Sequence, residues 1–190
     1  GRGQDLASLN RIAMGRASRR MIRALGTDLE VAEISGKWGR MFDFRAYRRF
    51  NYPEFDICAD PFVDEAGAVL QFDLILANQV WEHLDRPYRA TRNVHAMLRP
   101  GGHFWLAVPY FIPFHAAPMD CSRWSARGLT NLLIECGFEP DQIRAEQWGN
   151  RNAALRNMEE SWPPKYDPDR DSLDNDPEMP ICAWALARKG

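Results

Sequence analysis

Two stretches of this chain are almost wholly apolar, and both are short. Residues 72–77 (Phe-Asp-Leu-Ile-Leu-Ala) and 103–108 (His-Phe-Trp-Leu-Ala-Val) have the length of strands and carry apolar side chains at consecutive positions. That is the pattern of parallel strands covered on both faces. Between them the period changes, because Tyr88, Val94 and Leu98 recur at roughly helical spacing. Pro87 falls near the start of that helix, where its missing N–H is harmless. Arg99-Pro100-Gly101-Gly102 is expected to stop the helix and turn the chain, and Pro109 to end the second strand. Asn78 and Gln79 place side-chain amides at the carboxyl end of the first strand. In open α/β sheets, that end is where ligands bind.

The same alternation continues on either side. Residues 5–25 read as a helix with Leu6, Leu9, Ile12, Met14, Ile22 and Leu25 as its apolar positions and Gly26 as its stop, after a frayed Gly1-Arg2-Gly3. Residues 29–34 and 47–52 read as strands. Ser125 reads as the N-cap of a helix over 126–136, with Leu129, Leu132 and Leu133 on its core face and Gly137 after it. A strand is expected at 142–147, a short helix at 150–160 and a last strand at 181–188. The five prolines at 163, 164, 168, 177 and 180 forbid regular structure in between. Residues 159–180 carry eight acids against Lys165 and Arg170. This segment reads either as a mobile surface loop or as a lid using Trp162 and Tyr166.

Composition narrows the class. The chain has 190 residues, of which 45% are hydrophobic, enough for one domain with a real core. A net charge of −2 gives no global field toward nucleic acid or an anionic membrane. There is no apolar run near the ~20 residues of a membrane span and no signal-peptide pattern, so a cytoplasmic setting is expected. Cys58, Cys121, Cys136 and Cys182 lack metal-ligand spacing and read as reduced thiols, with no metal site.

FDLILANQVWEHL (72–84) and MLRPGGHFWLAVP (97–109) resemble the fourth and fifth strands of class I S-adenosylmethionine-dependent methyltransferases, and are most similar to their type 11 group. LRPGG before the fifth strand and an acid–His pair such as Glu82-His83 after the fourth are hallmarks there. The resemblance implies an α/β, Rossmann-like sheet of seven strands in the order 3-2-1-4-5-7-6, with strand 7 antiparallel and helices on both faces. It also implies one methyltransferase domain over 1–190, with a basic helix at 1–26 and a Pro- and acid-rich loop at 161–180.

The implied cofactor is S-adenosyl-L-methionine. Family members carry an acid and then alternate glycines after the first strand, because glycine lets the backbone bend and approach a ligand. Here Glu33 fits the acid and Gly39 the last glycine, Ser35 and Lys37 stand where glycines are usual, and Gly36 supplies flexibility one place later. Glu54, or else Asp56, would accept hydrogen bonds from the ribose. Residues 55–60 would form the third strand, with Asp60 beside the adenine or else capping a loop before Pro61. Asn78 and Gln79 would line the same cleft. Arg11, Arg16, Arg19, Arg20 and Arg23 make the first helix basic, as a solvated face or as an arm that closes over the cofactor or meets an acidic partner.

The loop after residue 109 is dense in aromatics, and His115, Pro118, Asp120, Arg123, Trp124 and Ser125 match an H-x-x-P-x-D-x-x-R-[FWY]-[ST] run found in part of the type 11 group. His115 would be a general base with Asp120 orienting it or acting in its place, and Tyr110, Phe111, Arg123 and Trp124 would meet the methyl acceptor. Equally, His115, Asp120 and Arg123 could brace the loop. His83 reads as a second base or as packing near the methionine end. The implied activity is methylation of a small-molecule, sugar or secondary-metabolite hydroxyl, the alternative being an inactive methyltransferase-like fold used for binding or scaffolding. The expected partner is a small-molecule acceptor rather than nucleic acid, since no nucleic-acid motif accompanies the basic helix. The sequence is compatible with a homo-oligomer.

Overall fold

A computed structural model describes residues 8–190; the opening glycines and the expected first turn of the helix at residues 5–7 lie outside the described residues. In chain order the elements are α1 (Leu9–Arg23), β1 (Glu30–Ile34), β2 (Ala46–Phe50), β3 (Phe72–Asn78), α2 (Pro87–Ala96), β4 (Leu98–Pro109), α3 (Ala126–Glu135), β5 (Ile143–Trp148), α4 (Arg151–Arg156) and β6 (Cys182–Arg188). Single 3-10 turns follow β1 (Trp38–Met41) and β3 (Trp81–His83).

The strands form one six-stranded sheet in the order β2-β1-β3-β4-β6-β5. β2, β1, β3 and β4 run parallel, and β6 is antiparallel to both β4 and β5. This is the expected order without its outermost strand. The segment expected to be that third strand folds as consecutive turns instead. Asp56 accepts the Cys58 N–H on its side chain and the Ala59 N–H on its carbonyl, closing a local turn that competes with extended pairing. Pro53 and Pro61 bracket it without donors of their own. The apolar residues of the segment are used all the same: Phe55 and Ile57 pack into the core around Phe50 and Phe62.

Strand alternation sends side chains to two cores. On one face Ala32, Ile34, Ile75, Phe104, Leu106 and Val108 meet α2 and α3 through Ala90, Val94, Leu129, Leu132 and Leu133. On the other, Val31, Leu74, Leu76, Trp105 and Trp184 meet α1 through Leu9, Met14, Met21 and Ile22, and α4 through Ala153 and Ala154. Ser125 caps α3 as expected, accepting the Gly128 N–H.

Two expectations are corrected here. Leu98-Arg99-Pro100-Gly101-Gly102 does not lie outside the sheet but opens β4 with an irregularity: Phe72 pairs with Leu98, and Leu74 already with His103. Gly101 turns at φ +83°, and a Cβ on Gly102 would sit 2.9 Å from the Arg99 carbonyl oxygen and 3.1 Å from that of Phe72, so both glycines are demanded by the backbone. The segment at 161–180 is irregular, as its prolines require, but it is fastened rather than loose. Arg156 pairs with the fully buried Asp171 carboxylate at 2.8 Å, Trp148 Nε1 donates to the Leu173 carbonyl, and Asn150 Nδ2 donates to the carbonyls of Ser172 and Asp174. Tyr166, Leu173 and Met179 pack on the α1 face of the sheet. Among the described residues no helix is long and apolar enough to cross a membrane.

Candidate active site

The carboxyl ends of the parallel strands all open on one side, and a cleft of about 580 Å³ lies there. Ser35 and Gly36 border it after β1, Arg49, Asn51 and Tyr52 at the end of β2, and Gln79, Val80 and His83 after β3. Phe55, Asp56, Ile57 and Cys58 form a further wall, and Ala117, Pro118 and Met119 approach from the loop after β4. Among the described residues, the non-glycine residues at positive φ are Ser35 (+50°) and Gln79 (+58°), and both border this cleft. Side-chain-bearing residues rarely adopt that conformation, and it concentrates where backbone is bent around a ligand site.

Glu33 explains how the turn after β1 holds without its usual glycines. Its side chain is fully buried beneath the turn, where Oε2 accepts the Trp38 N–H at 2.9 Å and Oε1 accepts the Gly39 N–H and the Tyr47 hydroxyl at 2.6 Å each. Burial pushes this carboxyl above its ordinary range, while the Tyr47, Gly39 and Trp38 donors oppose that shift by favouring the charged form. Gly39 is a packing glycine: a Cβ there would lie 2.6 Å from Tyr47 Cε2 and 2.8 Å from Leu76 Cδ1. Gly36 faces the cleft, its carbonyl held by Arg49 Nε at 2.6 Å. Glu33 and Gly39 thus shape the turn from below, and Ser35 and Gly36 present its upper surface.

The remaining expected residues divide. Gln79 borders the cleft; Asn78, one residue earlier, points to the α1 side of β3, with Oδ1 buried and unpartnered among the described residues. Glu54 and Asp60 are exposed and do not border it. β2 ends at Phe50, two residues earlier than expected, so Asn51 and Tyr52 take the place after the strand where an acid was sought. Asp56 does border the cleft, with Oδ1 occupied by the Cys58 N–H.

The loop after β4 is a closed brace. Asp120 takes both guanidinium arms of Arg123, at 2.5 and 2.7 Å, and accepts the His115 backbone N–H at 2.7 Å. Arg123 holds the Asp120 carboxyl below its usual range. Cys121 and Ser122 donate their N–H groups to the Glu82 carbonyl, fixing the loop to the turn after β3. Trp124 packs against the core, Tyr110 and Phe111 are 42% exposed, and none of the three borders the cleft. The His115 ring lies 5.5 Å from that of His83 and 5.4 Å from Trp162, outside the cleft lining. Sequence reasoning did not place Arg49, Asn51 and Tyr52 at the cleft, because their signal was the true end of β2; His83, read as a second base or as packing, borders it.

A parallel α/β sheet with an antiparallel final hairpin, bent glycine- and serine-bearing backbone after β1, and a cleft across the first three strand ends is the architecture of the Rossmann-like class. Residues 11–104 match the family model described as "Methyltransferase domain", and the chain belongs to the class I S-adenosylmethionine-dependent methyltransferases. Among curated proteins none matches the sequence. Solved structures similar to it include an S-adenosylmethionine-dependent methyltransferase from Archaeoglobus fulgidus (11% identity, TM-score 0.59, covering 93% of each chain). Another is the Burkholderia thailandensis 1,6-didemethyltoxoflavin-N1-methyltransferase with bound 1,6-didemethyltoxoflavin and S-adenosylhomocysteine (16%, 0.59, covering 93% of this chain and 78% of that one). A possible histamine N-methyltransferase from Thermotoga maritima (13%, 0.57, covering 90% and 87%) is a third. At these identities the likeness is one of fold.

Proposed function

We propose that this protein transfers the methyl group of S-adenosylmethionine to a hydroxyl of a small molecule. The observation that carries the proposal is the cleft bordered by Ser35, Gly36, Asn51, Gln79 and His83 at the carboxyl ends of β1, β2 and β3. Its volume is in the ~300–1,000 Å³ range of small-molecule sites. The residues present fit the cofactor. Gly36 keeps the turn in this shape, since a Cβ there would press on Glu33 Oε2 at 2.7 Å, and its backbone borders the cleft. Asn51 offers an amide where ribose hydroxyls are expected, and Tyr52, Phe55 and Ile57 give an apolar wall for a purine.

When bound, the cofactor supplies a sulfonium methyl whose leaving thioether needs no protonation. The chain's own contribution is alignment of the acceptor and exclusion of water, worth up to ~7–11 kcal/mol in favourable cases. The acceptor approaches from Ala117-Pro118-Met119, which the Asp120–Arg123 brace holds against the cleft. The comparison enzymes whose names specify an acceptor atom act on nitrogen, so a nitrogen acceptor is the competing outcome.

A scaffolding role is the second reading, favoured by Ser35 and Lys37 in place of glycines. Titration calorimetry with S-adenosylmethionine and S-adenosylhomocysteine separates the two. Micromolar binding that is weakened by Gly36→Val supports the enzyme, and no binding of either compound overturns it. Transfer of a tritiated methyl group to a panel of phenols, sugars and amines then identifies the acceptor class.

A further inference from the structure

The aromatic side chains beside the cleft are held in place by a buried amide. Asn157, the residue after α4, is 1% exposed. Its Nδ2 donates to the Phe111 carbonyl at 2.9 Å, and its Oδ1 accepts Trp162 Nε1–H at 3.1 Å. One interior side chain thus commits both its ends to fastening the loop after β4 and the segment after α4 to each other. The aromatic groups on these segments are not taken into the core. Phe111 and Phe114 are 42% and 79% exposed, and Trp162 is half-buried. Single exposed apolar residues are ordinary, but a group of them fixed in place from beneath is a preorganised surface.

This surface is continuous with the cleft. Met119 borders the cleft and belongs to the same loop as Phe114. From His83 in the cleft wall, ring-to-ring steps of 5.5 Å to His115 and 5.4 Å to Trp162 lead onto it, a span that one small molecule can cover. The arginines of the two segments are already engaged, Arg123 with Asp120 and Arg156 with Asp171 and Glu159. Neither is left to meet a phosphate group or an anionic bilayer.

We propose that Phe111, Phe114 and Trp162 form a platform that selects a phenol-type methyl acceptor, whose flat apolar ring system lies on them while its hydroxyl reaches into the cleft. The inference rests on the methyltransferase reading above and names its acceptor class. Aromatic side chains gain most from another flat apolar ring, stacked or edge-on. A sugar or a small amine would leave these rings in water and gain nothing from their fixed placement. Trp162 is the specificity-determining residue, since it is the platform member held by its own hydrogen bond to Asn157.

Calorimetry of the full chain with 2-naphthol and with methyl α-glucoside, each in the presence and absence of S-adenosylhomocysteine, tests the assignment. Trp162 is followed by fluorine-19 NMR of protein labelled with 5-fluorotryptophan, its signal assigned through Trp162→Phe. The expected result is that 2-naphthol binds and shifts the Trp162 signal, and that the glucoside does neither. Phe114→Ala, at a side chain largely in solvent, should keep the fold and weaken 2-naphthol by ~3–10-fold. Trp162→Ala should weaken it further, and both variants should keep their affinity for S-adenosylhomocysteine. No binding of 2-naphthol, glucoside binding of equal strength, or unchanged naphthol affinity in both variants overturns the proposal. So does a dimer in sedimentation velocity, or adsorption to phosphatidylglycerol-containing vesicles, that Phe114→Ala abolishes, because the face would then belong to a second copy or to a lipid surface. If S-adenosylhomocysteine does not bind the wild-type protein, the methyltransferase reading falls, and the naphthol titration without it still decides whether the platform exists.

Discussion

At Glu82 burial and ionisation pull against each other. Its carboxyl is raised by desolvation from 4.5 to about 7, so the folded protein holds this proton more tightly than the unfolded chain does. Below the ordinary carboxylate range the group is neutral in both states and carries no penalty. As pH rises from there to about 7 the folded state comes to bear an ionised buried group, and the destabilisation, on the order of 3 kcal/mol, is complete above it. Glu82→Gln should therefore leave the melting temperature near wild type at pH 5 and raise it at pH 8. Equal melting curves at pH 8 would show that the carboxylate is compensated by the nearby arginines. Gly39 makes a second expectation at this scale. Gly39→Ala drives a methyl group into Tyr47 and Leu76 and should destabilise by ~1–3 kcal/mol, measured by urea denaturation. It should also weaken cofactor binding through the turn it distorts.

Among the elements, the segment between α4 and β6 is the one whose character the sequence hid. Its prolines and acids read as a solvated loop, yet Asp171 is a buried acceptor for Arg156, and Asn150 both caps α4 and holds the segment's carbonyls. These are pairings of residues 15 to 24 positions apart, and no local pattern announces them. Asp171→Ala removes one of the two carboxylates on the Arg156 guanidinium, which keeps Glu159 at 2.6 Å and the Lys165 carbonyl, and should cost ~1–3 kcal/mol; a coupling energy below ~0.5 kcal/mol in a double-mutant cycle with Arg156→Ala would show that Glu159 and water replace it. The strands β3, β4 and β6 and the cap of α3 were legible because apolar runs and an N-cap serine are local signals. The missing outer strand was not legible: an Asx turn at Asp56 outcompeted a sequence with acceptable strand composition. The true end of β2 was hidden for a related reason, since Arg48 lies over the Phe50 ring and the chain turns at once into Asn51 and Tyr52. The turn after β1 was half legible. Its acid was found, but that the acid works beneath the backbone follows only from the three donors that converge on it.

For the molecule as a whole, two apolar cores share one sheet and the cleft lies across its end, so binding and global stability are linked. Saturation with S-adenosylhomocysteine at ~100 times its dissociation constant should stabilise the folded state by ~2.7 kcal/mol, a shift that differential scanning calorimetry reads directly. The sheet's order carries one more consequence. β6 follows β5 in sequence, yet it lies between β4 and β5 and, among the described residues, makes every strand pairing that joins β5 to the rest of the sheet. During synthesis β4 and β5 emerge with a gap between them that only the stretch Cys182–Arg188 fills. Until the ribosome has released it, β4 presents a long unpaired apolar edge, the kind of surface that recruits other chains. The late strand therefore acts as a checkpoint on folding: a nascent chain stalled before Cys182 is expected to remain protease-sensitive and bound to chaperones, and one extended past Arg188 to become resistant in a single step.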